Sequence, residues 1–400
     1  MKVTQAYEVI NEMQKQFFGT EDIDAITNEQ EIVDIGNRFD SLDLLDKYVK
    51  ALVNHIGKVI FDTRVYAGQA PSVYMDGTEY GSIVEKIRAE VPQTRKNPSW
   101  DLKENTPYLD SNFYQPKVHA KFFNEMDTWE IPMSFSYLQV KQSFGSQGQL
   151  TAFFTMIENK IEMAITINNE NLVMHTITNF IAATVHSSFE DTSDLSALTS
   201  VRAINLLAEA KQRGIVDAST DFEGAMHNLA FLKYASYRIA TVSDHLTRAG
   251  TLFNIGGTVK FTPREYQKMV LLSDFARAAD VYLQAETFHN EFTKLPEADH
   301  ISFWQGSGAV GGASTPFNIT AVSEIHKNIK NPSAPDETVE VAVAGVLGCI
   351  FDREALGVTN YNRRVRSRDI PEAEFYTNFY KVDARYFNDY DENFVVFFAQ

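Results

Sequence analysis

The hydrophobic pattern of this chain is dominated by one long helical stretch, residues 149–186. Neither glycine nor proline occurs between Gly148 and Gly214, so nothing local interrupts a helix there. Apolar side chains recur at spacings of three and four residues: Leu150, Phe153, Phe154, Ile157, Ile161, Ile165 and Leu172. This spacing predicts a single helix of roughly 60 Å, at about 1.5 Å per residue, on which sheets are arranged. The alternative is two core helices joined at the polar run of residues 168–171.

A β-rich segment, residues 58–116, precedes this helix. Asp76-Gly77 is a hairpin turn signal. Residues 83–91 fit both a helical spacing and an alternating pattern, and we favour a strand because they follow the hairpin signal. The pattern predicts a long two-stranded ribbon with few core residues. Because such a ribbon is marginally stable in water, we expect it to lie on its own body or on a neighbouring subunit.

The hydrophobic pattern in the remainder of the chain predicts an inserted α+β unit followed by a β-rich C-terminal segment. Residues 191–356 contain helical patterns that end at glycines and an apolar strand at residues 341–351. Residues 376–386 then alternate between two faces, residues 388–393 form a turn, and residues 394–398 are apolar on both faces. A strand that is apolar on both faces is expected to be buried from both sides. The fold class predicted from these patterns is α+β.

The feature of the composition that bears most on function is its charge. The 400 residues contain 53 acidic and 36 basic side chains, a formal net charge of −17. This balance argues against a protein that coats nucleic acid by neutralising phosphates, but it suits one that encloses nucleic acid without binding it tightly. The single cysteine, Cys349, excludes an intrachain disulfide and is expected to be a buried apolar residue. No apolar run approaches the ~20 residues of a membrane helix, and the N-terminus has no secretion-signal pattern.

Motifs for catalysis or cofactor binding are almost absent. The run Gly306-Ser-Gly308-Ala-Val-Gly311 matches G-x-G-x-x-G, but a dinucleotide site requires a helix to begin at these glycines. Pro316 and a β-prone segment follow, which favours a loop. We therefore expect no enzyme activity and no cofactor. A dinucleotide-dependent enzyme that uses this glycine loop is the remote alternative.

The remaining charged residues do not form a metal-binding motif, but one cluster of arginines is a candidate for contacts with other molecules. The nine histidines form no ligand cluster, and Asp389, Asp391 and Glu392 lack the glycine and terminal glutamate of a calcium-binding loop, so no metal is expected. Four arginines occur together between residues 363 and 368. We interpret them as a solvated loop or as partners of acidic residues on another subunit, with contact to nucleic acid as a weaker possibility.

Several short stretches resemble the major capsid proteins of tailed bacteriophages with the HK97-like fold. The stretches that carry the resemblance run from Ile56-Gly57 through Ala70-Pro71-Ser72 and continue with Met75-Asp76, Gly81-Ser82-Ile83, residues 120–123, 129–131, Leu150 with Phe153, residues 287–292, 304–308, 351–357, 373–375 and 391–396. They are spread over most of the chain. The resemblance implies an α+β HK97-like capsid fold with an N-terminal arm, an extended β-ribbon loop, a long spine helix with a peripheral sheet, and an axial domain.

The resemblance also implies a division of the chain into five parts. Residues 1–57 would be the N-terminal arm and residues 58–110 the extended loop over a neighbour. Residues 111–190 would be the peripheral domain with its spine helix, and residues 191–356 the axial domain. Residues 357–400 would return to the peripheral sheet as a hairpin. No crosslinking residues of the kind found in some relatives can be matched in this sequence.

The function implied by the resemblance is a major capsid protein that assembles into the icosahedral or prolate shell around double-stranded DNA. Its partners would be copies of itself in pentameric and hexameric capsomers, a separate scaffolding protein, a portal and decoration proteins, with no membrane and no sequence-specific DNA contact. It would be located in the virion and assemble in the host cytoplasm. An encapsulin-like nanocompartment is the alternative of the same architecture. The side chains expected at subunit contacts are Arg64, Tyr74, Asp76, Arg88, Arg363, Arg364, Arg366, Glu372 and Glu374.

Overall fold

The computed structural model describes residues 69–75, 84–106, 115–136, 147–304 and 322–400, except residues 93, 95, 190, 193, 285–297, 333, 371, 373 and 374. The expectations for the N-terminal arm, the Asp76-Gly77 turn and the Gly306 loop lie outside these residues. The chain divides into two compact units. The first consists of Met1–Glu79, Met126–His175 and Val358–Tyr386, and the second of Tyr80–Glu125, Thr176–Gly357 and Phe387–Gln400.

The described part contains both helices and strands, which confirms the predicted α+β class. Its strands are, in chain order, β1 (Val84–Ala89), β2 (Val118–Phe123), β3 (Met126–Ser136), β4 (Ala203–Asn205), β5 (Gln267–Leu272), β6 (Asp299–Ile301), β7 (Ile325–Asn331), β8 (Ala334–Val343), β9 (Val346–Asp352), β10 (Leu356–Ile370), β11 (Phe375–Asn388) and β12 (Phe394–Phe398). Its α-helices are α1 (Gln147–Ser188), α2 (Leu206–Gln212), α3 (Phe222–Met226), α4 (Leu229–Leu246) and α5 (Ser273–Gln284).

Helix α1 is the long helix that the sequence predicts. It runs without interruption for 42 residues, so the single helix is confirmed and the alternative of two joined helices is wrong. Its last turns are buried on nearly every side, with Val173, Ile177, Phe180 and Ile181 at most 2% exposed. A helical segment that is buried on all sides must be enclosed by other elements, which explains why the apolar residues in the last turns of α1 are not confined to one stripe.

The first unit contains a three-stranded sheet in the order β10-β11-β3. Strand β11 pairs antiparallel with β3 along its length, with Tyr380 opposite Ile131 and Asp383 opposite Thr128. The strand predicted for residues 376–386 is confirmed. The four arginines of residues 363–368 lie on strand β10, so the prediction that this segment is a loop is wrong.

The second unit contains a five-stranded sheet in the order β4-β12-β9-β5-β6. Its central strands β9 and β12 are antiparallel, and every residue of both is buried. The prediction that residues 394–398 are buried from both sides is confirmed. Cys349, on β9, is fully buried, and burial raises the pKa of its thiol, so it behaves as the apolar core residue expected.

Two predictions for the end of the chain are wrong in detail. The apolar strand expected at residues 341–351 is split between β8 and β9 at Gly345, which has a φ of +67°. A Cβ atom at Gly345 would lie 2.0 Å from the Ala399 carbonyl oxygen, so only glycine allows this close approach. The expected C-terminal hairpin is also absent from the described residues, because β11 joins β3 whereas β12 joins β4 and β9.

Candidate assembly interface

The second unit holds a two-stranded ribbon, β1 and β2, whose two faces differ in chemistry. The strands are antiparallel, with Lys86 opposite Lys121 and Arg88 opposite His119. Since side chains alternate along a strand, Lys86, Arg88 and Lys121 share one face. The other face carries Glu85, Ile87, Ala89, Val118, Ala120 and Phe122, and all of them are exposed. The strand predicted for residues 83–91 is confirmed over β1.

The basic face of the ribbon meets an acidic turn between β11 and β12. The Asp389 backbone N–H donates to the Ala355 carbonyl at 2.7 Å, and the Glu392 N–H donates to the Asp389 carbonyl at 3.1 Å. These bonds turn the acidic side chains toward the ribbon. The Asp389 and Glu392 side chains are only 0% and 4% exposed, so both carboxylates require cationic partners.

Each carboxylate of this turn has more than one cationic partner. Lys86 Nζ lies 2.5 Å from Glu392 Oε1 and 3.1 Å from Asp389 Oδ2. Arg88 contacts Asp389, Asp391 and Glu392, each at 3.0 Å. Lys121 Nζ lies 2.8 Å from Asp389 Oδ1, and Lys260 Nζ lies 2.7 Å from Glu392 Oε1. The ribbon-base cluster, as we call it, is Lys86, Arg88, Lys121, Lys260, Asp389, Asp391 and Glu392.

The ribbon-base cluster shifts the pKa values of Asp389, Glu392 and Lys86 toward their charged forms. Burial alone raises the pKa of Asp389, but the hydrogen bond from Lys121 and the charge of Lys86 outweigh it, so the pKa is lowered. Burial also raises the pKa of Glu392, but the interactions with Lys260 and Lys86 outweigh it, so this pKa is lowered as well. Burial lowers the pKa of Lys86, but Glu392 and Asp389 outweigh it and raise that pKa. These three groups are therefore charged at neutral pH.

A groove of about 750 Å³ lies beside the cluster in the same unit. One wall is the ribbon, from Arg88 to Val91 with His119, and the opposite wall is the loop that includes residues 257–261. That loop is held in place, since Gly250 and Lys260 exchange backbone hydrogen bonds of 2.9 and 2.8 Å. The Thr258 hydroxyl also donates to the Asp391 carbonyl at 2.9 Å. We call this cavity the ribbon-base groove.

The structure places the side chains expected at subunit contacts in different environments. Arg88 and Arg364 both have partners within their own chain, Arg88 in the ribbon-base cluster and Arg364 on Asp383. Tyr74 lies beside Val358 through a backbone bridge. Arg366 and Glu372 are exposed and Arg363 is half-buried, whereas Arg64, Asp76 and Glu374 lie outside the described residues. Contact of these side chains with another subunit stays a prediction.

Sequence reasoning missed the acidic side of the ribbon-base cluster. Asp389, Asp391 and Glu392 were weighed only as a calcium loop, yet their partners on the ribbon lie 268 to 306 residues earlier in the chain, and Lys260 lies 132 residues before Glu392. The one available signal was the alternation of Lys86 and Arg88, which marked a polar face without identifying what it contacts. Among the described residues, no group of three or more histidine, cysteine, aspartate or glutamate side chains could hold a metal ion. No helix in the described ranges is long and apolar enough to span a membrane.

Comparison with known proteins gives one match to a family model. The model of the Phi29-like phage major capsid protein matches residues 8–398. No curated protein matches the chain significantly.

Among solved structures, the chain is similar to the capsid of Staphylococcus phage Andhra, with 10% identity, coverage of 84% of this chain and 86% of that chain, and a TM-score of 0.48. A structure of native bacteriophage P68, described by its head fibre and inner core protein gp22, gives 10% identity, coverage of 85% and 87%, and a TM-score of 0.47. The mature capsid of bacteriophage PhiM1 gives 8% identity, coverage of 85% and 89%, and a TM-score of 0.39.

Proposed function

This chain belongs to the family of Phi29-like phage major capsid proteins, and from that premise we propose how its subunits enclose a genome. It is a major capsid protein of a tailed phage, and it self-assembles into the capsomers of a phage shell. The resemblance to tailed-phage capsid proteins noted in the sequence is thereby confirmed. The nanocompartment and enzyme alternatives gain no support from the family match.

We propose that the exposed apolar face of the ribbon is a contact between subunits. Ile87, Val118 and Phe122 are 67%, 58% and 60% exposed, and they lie side by side on one face of β1 and β2. A contiguous apolar surface of this kind on a single subunit marks an interaction site. The opposite face is held to its own body by the ribbon-base cluster. The ribbon is thus fixed at its base and presents its apolar face outward.

We also propose that the shell encloses double-stranded DNA without binding it tightly. The net charge of −17 supports this, because retention of DNA requires basic side chains that displace counterions from phosphates. A separate scaffolding protein, a portal and decoration proteins would act with the shell, and assembly would take place in the host cytoplasm. Arg363 and Arg366 of β10 would then pair with acidic groups of a neighbouring subunit, whereas Arg364 is held by Asp383 of its own chain.

Two experiments test this function. Purified protein at rising concentration, with and without the proposed scaffolding protein, should form closed particles by electron microscopy in at least one of the two conditions, and a species that stays monomeric in both would contradict the proposal. Filter retention of double-stranded DNA by the purified shells at low salt should stay at background. Strong retention that falls steeply with salt would show that the shell binds phosphates directly and would overturn the proposed loose enclosure.

A further inference from the structure

The ribbon carries a fully exposed tryptophan beyond its paired strands. Trp100 ends a short 3-10 helix, Pro98–Trp100, and is 99% exposed, while Leu102 beside it is 65% exposed. Tryptophan buries 150–250 Å² when it is enclosed, and it is enriched among the residues that dominate binding energy at interfaces. A tryptophan fully exposed on one subunit is therefore expected to be covered in the assembly.

The ribbon-base groove has the size and lining to receive such a side chain. Its volume of about 750 Å³ lies within the range of roughly 300–1,000 Å³ typical of cavities that enclose a drug-sized ligand. Apolar side chains line it and remain partly exposed: Val91 67%, Val259 50%, Phe261 57% and Tyr266 37%. The hydrogen bonds that fix residues 250–260 leave the groove preformed, which lowers the entropy cost of binding.

The charges of the groove and of the tryptophan segment are complementary. Asp391 and Glu392 are already paired within the ribbon-base cluster, but Glu90 and Glu354, which also line the groove, have side chains that are 48% and 49% exposed. Trp100 lies between Lys96 and Lys103, with Asp101 as the acid between those two lysines. The lysines on either side of Trp100 can therefore face exposed carboxylates of the groove, which favours one orientation of the contact.

We propose that Trp100 of one subunit inserts into the ribbon-base groove of a second copy of this chain. The proposal rests on the proposed function and identifies the anchor of that contact. The same subunit does not fill its own groove here, because its Trp100 is almost entirely exposed. Trp100 is not among the residues that line the groove, so the anchor and the groove of one subunit are separate parts of its surface. Contacts of this head-to-tail kind close into rings when the rotation between copies allows, as a capsomer requires.

Site-directed crosslinking tests the contact while keeping the tryptophan. Cys349 is the chain's single cysteine and is fully buried, so added thiols on the surface react alone. In the double variant Ser99→Cys with Val259→Cys, a short bismaleimide should join neighbouring subunits into covalent oligomers in assembled particles. Dissociated subunits should give none. The matched control, Ser99→Cys with Tyr237→Cys, uses a residue on α4 that is 64% exposed against 50% for Val259, and it should give no oligomers.

The outcomes separate this inference from the proposed function. Particles that form but give no oligomers, or give as many with the Tyr237 control, overturn the inference and leave the shell function standing. A crosslink within one chain would show that the segment fills its own groove, and would also overturn it. Failure of the wild-type chain to form particles would instead contradict the proposed function.

Substitution of the anchor gives a second readout. Trp100→Ala should raise the concentration required for assembly at least about tenfold, as expected when a dominant interface residue is truncated. Trp100→Phe should recover part of that loss, because an aromatic ring is kept. The urea midpoint of the dissociated subunit should be unchanged in both variants, since Trp100 makes little contact in the subunit. An unchanged assembly concentration for Trp100→Ala would overturn the proposal.

Discussion

At the scale of single residues, the fold depends on where buried charge is placed. Asp389 is fully buried and is tolerated because cationic groups of the ribbon surround it. Removing one partner of a buried ion pair lowers the free energy of unfolding much more than removing one partner of a solvent-exposed pair. The ion pairs of these carboxylates therefore hold the base of the ribbon in place, and they also offset the free-energy cost of burying the carboxylates.

Asp389→Asn should destabilise the dissociated subunit by roughly 1–3 kcal/mol, because Lys86, Arg88 and Lys121 lose a shared buried anion. Urea titration followed by tryptophan fluorescence measures the loss. The matched control is Asp244→Asn, which breaks the exposed pair between Asp244 and Arg264 and should cost less than about 1 kcal/mol. Equal losses in the two variants would show that the ribbon-base cluster contributes no more than a surface pair.

The pH dependence of the cluster follows from the directions of its pKa shifts. Asp389 and Glu392 have lowered pKa values, so their contribution is present above their unfolded values near 4 and is lost as the pH falls through the folded values. Lys86 has a raised pKa, so its contribution is complete below an unfolded value of about 10.4 and is lost at higher pH. Asp352, whose pKa is raised by burial, acts in the opposite direction in acid.

We expect the stability of the dissociated subunit to be level near neutral pH and to fall below about pH 4 and above about pH 10.5. Urea midpoints measured across this range test the expectation. In Asp389→Asn the fall in acid should be shallower than in the wild type, because a buried carboxylate with a lowered pKa is gone. An identical acid limb in both proteins would mean that other groups control the acid response.

At the scale of elements, the sequence predicts what depends on local periodicity. Helix α1 and the doubly buried β12 were predicted from spacing, because each pattern reflects burial along a single element. Strand β1 was ambiguous in its spacing and was favoured because it follows a hairpin signal. Pairing between distant strands leaves no such signal. Nothing in residues 376–398 indicates that β11 and β12 separate into two sheets, and the glycine that splits β8 from β9 is needed only because Ala399 approaches it. The acidic turn was missed for the same reason, since its partners lie far away in the chain.

Met163 provides a test of the uninterrupted helix α1, because its side chain is 59% exposed. Met163→Pro removes a helix hydrogen bond and introduces a steric clash, so we expect a loss of about 3 kcal/mol or more and no assembly. Met163→Ala keeps the backbone bond at a residue with little side-chain burial and should assemble normally. Circular dichroism and urea titration measure the difference. Wild-type behaviour of the proline variant would contradict a continuous helix.

The outer face of the ribbon can be tested without disturbing its base. Ile87→Asp places a charge on the exposed apolar face, so the subunit should fold normally but fail to form particles if that face is covered by a neighbour. Ile87→Val keeps an apolar β-branched side chain and serves as the control. Sedimentation of both variants under assembly conditions provides the measurement. Normal particles from Ile87→Asp would place this face outside the subunit contacts.

At the scale of the whole molecule, a strongly acidic chain combines with apolar surfaces that a single subunit leaves exposed. The net charge of −17 keeps the subunit soluble and limits its attraction to nucleic acid. The exposed side chains of Ile87, Phe122 and Trp100 form the apolar surface that we expect neighbouring subunits to cover. The family match assigns the role of shell subunit, while the ribbon identifies the element through which we expect copies to meet.

The most direct measurement is a cryo-electron microscopy reconstruction of particles assembled from the purified protein. We predict a closed shell in which density of a neighbouring subunit covers Ile87 and Phe122 and their ribbon remains fixed to its own acidic turn. A shell in which this face stays open to solvent on every subunit, or a preparation without particles under all assembly conditions, would contradict it.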